Sequence, residues 1–174
     1  MHRISQVLFL YLCMRYILPV LLFLLSSCLH AQTYTGKVTA VKDGDTIEML
    51  VAGKTIRVRL FGVDCPEKGQ PFGEKARQYT AGLCFGKQVK AVQQSKDPYG
   101  RVVAEVYLPG NSSLNAALVK AGYAWHYKKF SKNEALALAE KKARQEKLGL
   151  WADARPVAPW NWRKKKGTQY APAR

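Results

Sequence analysis

Between Thr35 and Phe61 apolar and polar residues alternate: Val38 and Ala40, then Ile47, Met49 and Val51, then Ile56, Val58 and Leu60. A period of two marks half-buried strands. Two turn-forming breaks, "KDGD" and "AGK", divide the stretch into three short strands and predict an antiparallel meander. The period then changes. In "PFGEKARQYTAGLCFGK", Ala76, Tyr79 and Leu83 recur at helical spacing with Gly86 beyond them, which predicts a helix from Gly73 to Cys84. Alternation returns in "QVKAVQQ" (88–94) and "RVVAEVYL" (101–108), separated by the turn "SKDPYG". "PGNSS" then caps a short helix, Leu114 to Ala121, closed by Gly122. A last helix is expected to start at a capping box of Ser131 and Glu134, to carry Leu136, Ala139, Ala143 and Leu150 on one side, and to end at Gly149.

The predicted order is three strands, a helix, two strands and two helices. Five short strands with a helix inserted after the third is how an OB-fold closes its partly open barrel. The expected fold class is therefore α+β, a five-stranded OB-fold β-barrel with three α-helices. Its domain spans 32–153, and 154–174 is a basic tail containing Pro and Trp.

Residues 1–31 stand apart. "MRYILPVLLFLLSSCLHAQ" has a basic start at Arg15, an apolar run from Ile17 to Leu25 and then small residues, the pattern of an export signal. This pattern begins at Met14, so residues 1–13 read as an extension. A membrane anchor is the alternative, but the run is far shorter than the roughly 20 apolar residues a span requires. Cleavage before Gln32 gives a soluble secreted or periplasmic protein; "LSSC" instead resembles a lipoprotein box that leaves a lipid anchor on Cys28.

The chain carries 28 Lys and Arg against 12 Asp and Glu, a formal charge of +16. Such an excess draws a protein toward polyanions, whether nucleic acid, anionic membrane or acidic polysaccharide. The leader holds only Arg3 and Arg15, so the basicity belongs to the domain. Two cysteines follow it, Cys65 and Cys84, either a disulfide of an oxidising compartment or two buried thiols. There is no CxxC and no Cys/His cluster, which argues against zinc.

Four short stretches hold candidate chemistry: "DGDT" with Asp43 and Asp45, Arg59 on the third strand, "DCPE" with Asp64 and Glu67, and "DPYGR" ending in Arg101. Each alone is ordinary turn or surface chemistry. Together they match what phosphodiester cleavage demands. Two hard carboxylates can hold Ca²⁺ or a similar ion, a third can take a proton from water, and two arginines can clamp a phosphate bidentately. His126 has no partner and is left out of this scheme.

"DGDT", "VRLFGVDCPE" and "DPYGR", in this order and spacing, resemble the staphylococcal nuclease family, and the resemblance runs from about Thr35 to "EKLGLW" at 146–151. It implies an OB barrel with three helices and Ca²⁺-dependent hydrolysis of DNA and RNA to 3′-phosphate ends. On the matching positions, Asp45 and Asp64 would bind the metal, and Cys65 would contribute its main-chain carbonyl. Glu67 would be the general base, Arg59 and Arg101 the phosphate-binding arginines, and Asp43 an acid that shapes the site. Tyr127, and after it Tyr123, would stack on a base or contact a phosphate, with packing of the last helix as the alternative. Single strands are the expected substrate and a monomer the expected state. A catalytically silent OB domain that only binds single strands is the rival, and a charge-driven membrane or polysaccharide binder a third reading. "RKKK" at 163–166, beside Trp160 and Trp162, is either a set of phosphate contacts or a solvated tail.

Overall fold

The computed structural model describes Arg15 and residues 32–169. The leader expected over 1–31 therefore lies outside the described residues apart from Arg15. Among the described residues no helix is long and apolar enough to cross a membrane.

The alternating segments form the strands β1 (Thr33–Asp43), β2 (Thr46–Val51) and β3 (Lys54–Leu60), and later β5 (Gln88–Lys96) and β6 (Val102–Tyr107). They close into a barrel in the order β1-β2-β3-β6-β5. The first three make the antiparallel meander that the turns call for, with Ile47 facing Val58 and Thr46 facing Arg59. Parallel pairing of β3 with β6, Val58 against Val102 and Arg59 against Val103, closes the circle. Ile47, Met49, Val58, Leu60, Ala104 and Val106 fill the interior and are almost wholly excluded from water.

Alternation breaks in β1, where register shifts fall between Val38 and Ala40 and between Val41 and Asp43. Ala40, expected inside, is only half-buried, and Val41 packs against the core beside it. A bulge bends its strand and re-aims the residues beyond it. Here those residues are the Asp43–Asp45 turn.

The helix α1 covers Gly73–Cys84 and α2 covers Leu114–Lys120, close to expectation. The helix α3, Glu134–Gln145, has Asn133 rather than Ser131 as its cap: Asn133 Oδ1 accepts from the Leu136 N–H, while Ser131 Oγ accepts from that of Asn133. Gly149 opens a separate 3-10 turn, Gly149–Ala152, which buries Leu150 and Trp151. Two features exceed the sequence reading. Short strands β4 (Val63–Asp64) and β7 (Trp125–His126) pair with each other, Asp64 opposite Trp125. A fourth α-helix, α4 (Pro159–Gln169), stands within the stretch expected as a tail. Proline suits a first helical position because its missing N–H has no partner to lose there.

Candidate active site

The turn after β1 is fixed by close packing. A Cβ on Gly44 would lie 2.7 Å from Cys65 Cβ and 2.9 Å from Ala76 Cβ, so no other residue fits without displacement. From α1, the Thr80 hydroxyl donates to the Gly44 carbonyl at 2.6 Å. Asp43 Oδ1 accepts from the Asp45 N–H at 3.2 Å, and Asp45 Oδ2 accepts from the Cys65 N–H at 2.7 Å. Helix, turn and the chain after β4 thus hold Asp45 in one place.

Asp45 and Asp64 are both buried, at 6% and 1% exposure, and both reach the same nitrogen of Arg59. Arg59 Nη2 lies 3.0 Å from Asp45 Oδ2 and 2.8 Å from Asp64 Oδ1, while its Nη1 donates to the carbonyls of Leu60 and Val63. Burial opposes the charge on Arg59, but the two carboxylates outweigh it and hold the guanidinium's pKa above its ordinary value. Burial also dominates at Asp45. It pushes the carboxyl up to about 8 against the pull of Arg59, and the charges of Asp43 and Asp64 add to the rise.

Glu67 stands at the mouth of this cluster. Its N–H donates to Gln70 Oε1 at 3.0 Å and its carbonyl accepts from the Gln70 N–H at 2.9 Å. A Cβ on Gly73 would sit 2.2 Å from that same carbonyl, so the start of α1 can approach the Glu67 loop this closely only with glycine. The short loop "EKGQPF" is therefore a tight, cross-braced turn.

The other expected residues divide. Arg101 precedes β6, whose Val103 pairs with Arg59, but its own side chain turns to Asp97, with Nε 2.6 Å from Asp97 Oδ2. Among the described residues its ion pair is there and not in the Asp45–Asp64 cluster. Arg57, on the same side of β3, points outward to Glu48. Tyr127 lies beyond β7, tied by its N–H to the Gly62 carbonyl. Its ring stacks on Trp160 of α4, with centroids 5.2 Å apart and planes 2° from parallel. Tyr123 instead packs against Tyr79 at 4.8 Å, at the edge of the core. Cys65 and Cys84 are both buried free thiols, and burial raises the pKa of each, that of Cys84 to about 12. His126 is buried on β7, and burial pushes it below its ordinary value.

One residue of the site escaped the sequence reading. Arg163 of α4 lays its guanidinium on Asp64, with Nη2 2.9 Å from Oδ2, and on Glu67 Oε1. Its signal was the "WNWRKKK" run, which shows basicity and aromatic content but no periodicity that would aim a side chain. Beside it a cavity of about 330 Å³ is lined by Trp125, Tyr127 and Trp160 together with Lys128, Arg144 and Lys164. Arg144 stacks over Trp151 at 3.7 Å and over Trp125 at 4.6 Å. Glu140 also lines this cavity and pairs with Lys128 and Arg144.

The cluster also suits a hard divalent cation. Oxygen donors are what such an ion takes, and Asp45 and Asp64 each have a second carboxylate oxygen besides the one that meets Arg59. Among the described residues no group of three or more His, Cys, Asp or Glu side chains gathers to hold a metal, so main-chain oxygen and water would complete the shell.

A profile described as staphylococcal nuclease homologue matches residues 57–153, more than half the chain. The chain belongs to the staphylococcal nuclease family. It is similar to an uncharacterized endonuclease of Escherichia coli, 39% identical over 153 residues that make up 88% of this chain and 100% of that protein. A micrococcal nuclease of Shigella flexneri is 42% identical over 141 residues, covering 75% of this chain and 81% of the relative. A further uncharacterized endonuclease, from Haemophilus influenzae, is 37% identical over 83% of this chain and 82% of its own length. The family match begins at Arg57 and includes Arg59, Asp64, Glu67 and Arg101.

Proposed function

We propose that this nuclease is an exported, Ca²⁺-dependent endonuclease that hydrolyses DNA and RNA with little sequence specificity and leaves 3′-phosphate ends. The observation that carries the reading is the convergence of buried Asp45 and Asp64 on a single guanidinium nitrogen of Arg59. Burying two carboxylates this deeply is costly unless positive charge is gathered with them. That is the condition of a site that handles a phosphate and a cation together.

Asp45, Asp64 and the Cys65 carbonyl would hold Ca²⁺, which supplies polarisation of a phosphoryl oxygen when bound. Glu67, exposed enough to meet solvent, takes the proton of the attacking water on its carboxylate. The water oxygen bonds to phosphorus as the bond from phosphorus to the 5′ oxygen breaks, and that oxygen takes a proton from solvent and leaves as a hydroxyl. Arg59 donates to the phosphate from the barrel wall. Arg101 joins it by turning from Asp97, and its fork can grip two oxygens as the transition state gains charge. Asp43 fixes the turn through the Asp45 N–H. Tyr127 offers its ring to a base, which favours single strands, whose bases are free to stack.

Digestion of plasmid DNA and of RNA in Ca²⁺ and in excess chelator tests the reading directly. Cleavage in Ca²⁺ alone, with product ends that a 3′-phosphatase must treat before extension, is the expected result. Full activity in chelator contradicts it. Mass spectrometry of the mature protein tests export, with a start at Gln32 or a lipidated Cys28 expected and an intact Met1 contradicting it.

A further inference from the structure

The helix α4 brings two side chains to the two places that a substrate complex needs empty. Trp160 covers the ring of Tyr127 in a near-parallel stack and meets Trp125 edge-on at 5.4 Å. One turn further along, Arg163 spans Asp64 and Glu67. A guanidinium held on both carboxylates stands where a cation on Asp64 and a water on Glu67 would have to be. An indole on Tyr127 stands where a base would stack. We propose that α4 is an autoinhibitory strap, which closes the site of the free protein with Trp160 in the place of a base and Arg163 in the place of the cation. The proposal rests on the roles given above to Asp64, Glu67 and Tyr127.

The attachment of the strap fits a device that opens. Its entry is pinned where Gln70 Nε2 donates to the Val157 carbonyl at 2.7 Å and Ala158 is buried. Gln70 is also the residue that braces Glu67. Beyond that anchor, the stack and the ion pairs are contacts that the substrate complex can replace in kind. A base replaces the indole, Ca²⁺ replaces the guanidinium on Asp64, and a phosphate gives Arg163 a new partner. The side chain of Arg163 is 43% exposed where that of Arg59 is 15%, so less is lost in lifting it. Nucleic acid and Ca²⁺ together thus displace what neither displaces as well alone.

A closed state lowers apparent affinity by the fraction of molecules that are open. With about one molecule in ten open, removing the strap's contacts tightens binding by about 10-fold. The test is made on the full mature protein. Calorimetric titration of Ca²⁺ should give a Kd about 10-fold lower for Arg163→Gln than for the parent. In chelator, a short single-stranded oligonucleotide should bind Trp160→Ala about 10-fold more tightly than the parent. Hydrogen exchange on the unmodified protein needs no variant to fold: adding Ca²⁺ with the oligonucleotide should speed exchange of the amides in 160–164. Unchanged or weaker Ca²⁺ binding by Arg163→Gln, weaker oligonucleotide binding by Trp160→Ala, or added protection of 160–164 each overturns the strap. Cleavage is scored separately. If neither parent nor variant cuts in Ca²⁺, the catalytic reading fails while these binding data still decide the strap.

Discussion

Two arginines hold Asp64, and they could hardly be placed more differently. Arg59 grows from a barrel strand five residues away, is nearly buried, and is locked by the carbonyls of Leu60 and Val63 as well as by two carboxylates. Arg163 arrives from a helix 99 residues along the chain and remains partly in solvent. The first is part of the wall. Its removal would leave buried Asp45 without its ion pair and buried Asp64 with only the half-exposed Arg163, which is the costly kind of loss. The second makes ion pairs of similar length that water, metal or phosphate can take over. Geometry alone makes the two contacts look alike; burial and the number of other ties separate them.

The sharpest way to break this comparison is to change the wall. Arg59→Lys keeps the charge but loses the planar fork, and should lower kcat on the order of 100-fold, with a smaller effect on nucleic-acid binding. A loss no larger than that in Arg163→Lys would make the two arginines equivalent and contradict the distinction. Next in size is the turn that sets Asp45. Gly44→Ala drives a methyl into Cys65 and Ala76 and should cost about 1–3 kcal/mol in denaturant unfolding. An unchanged midpoint would mean that the turn has room to shift.

Much of this was legible in the sequence because its signals are local. The alternation of Ile47, Met49, Val58 and Leu60 specifies the barrel face, and Asp43, Asp45, Asp64 and Glu67 lie in turns or at strand ends where the chain direction is set by neighbours. Bulges blurred the phase at Ala40 and Val41. What escaped is long-range. Nothing in "WNWRKKK" says that Arg163 will meet Asp64, since a basic stretch carries charge without a period and the partner lies on another element. Tyr123 and Tyr127, four positions apart, are both stacking candidates in the sequence, with Tyr127 the first and Tyr123 the second. The structure packs one against Tyr79 and leaves the other on the cavity, a choice made by how β7 pairs with β4. Arg101 matched a motif, and the structure shows its resting partner to be Asp97.

Smaller effects sharpen the contrast further. Tyr127→Ala should weaken binding of a single-stranded oligonucleotide by about 1–3 kcal/mol, the usual worth of one stacked base, once the stack with Trp160 is open. Tyr123→Phe should leave that affinity unchanged, and a loss equal to that of Tyr127→Ala would put Tyr123 in the site. At the bottom of the scale, Arg57→Ala removes an exposed pair with Glu48 and should move the melting temperature by only about 1 °C or less.

The claim on which the rest depends is that Asp45 and Asp64 bind the cation while Glu67 moves the proton. Single-turnover cleavage measured across a Ca²⁺ titration separates the two jobs in one experiment on the parent, Asp64→Asn and Glu67→Gln. Asp64→Asn should raise the Ca²⁺ concentration for half-maximal rate, whereas Glu67→Gln should slow the step on the order of 100-fold or more with that concentration nearly unchanged. Cleavage by Glu67→Gln at the parental rate, or a parent that cuts fully in excess chelator, would contradict the account.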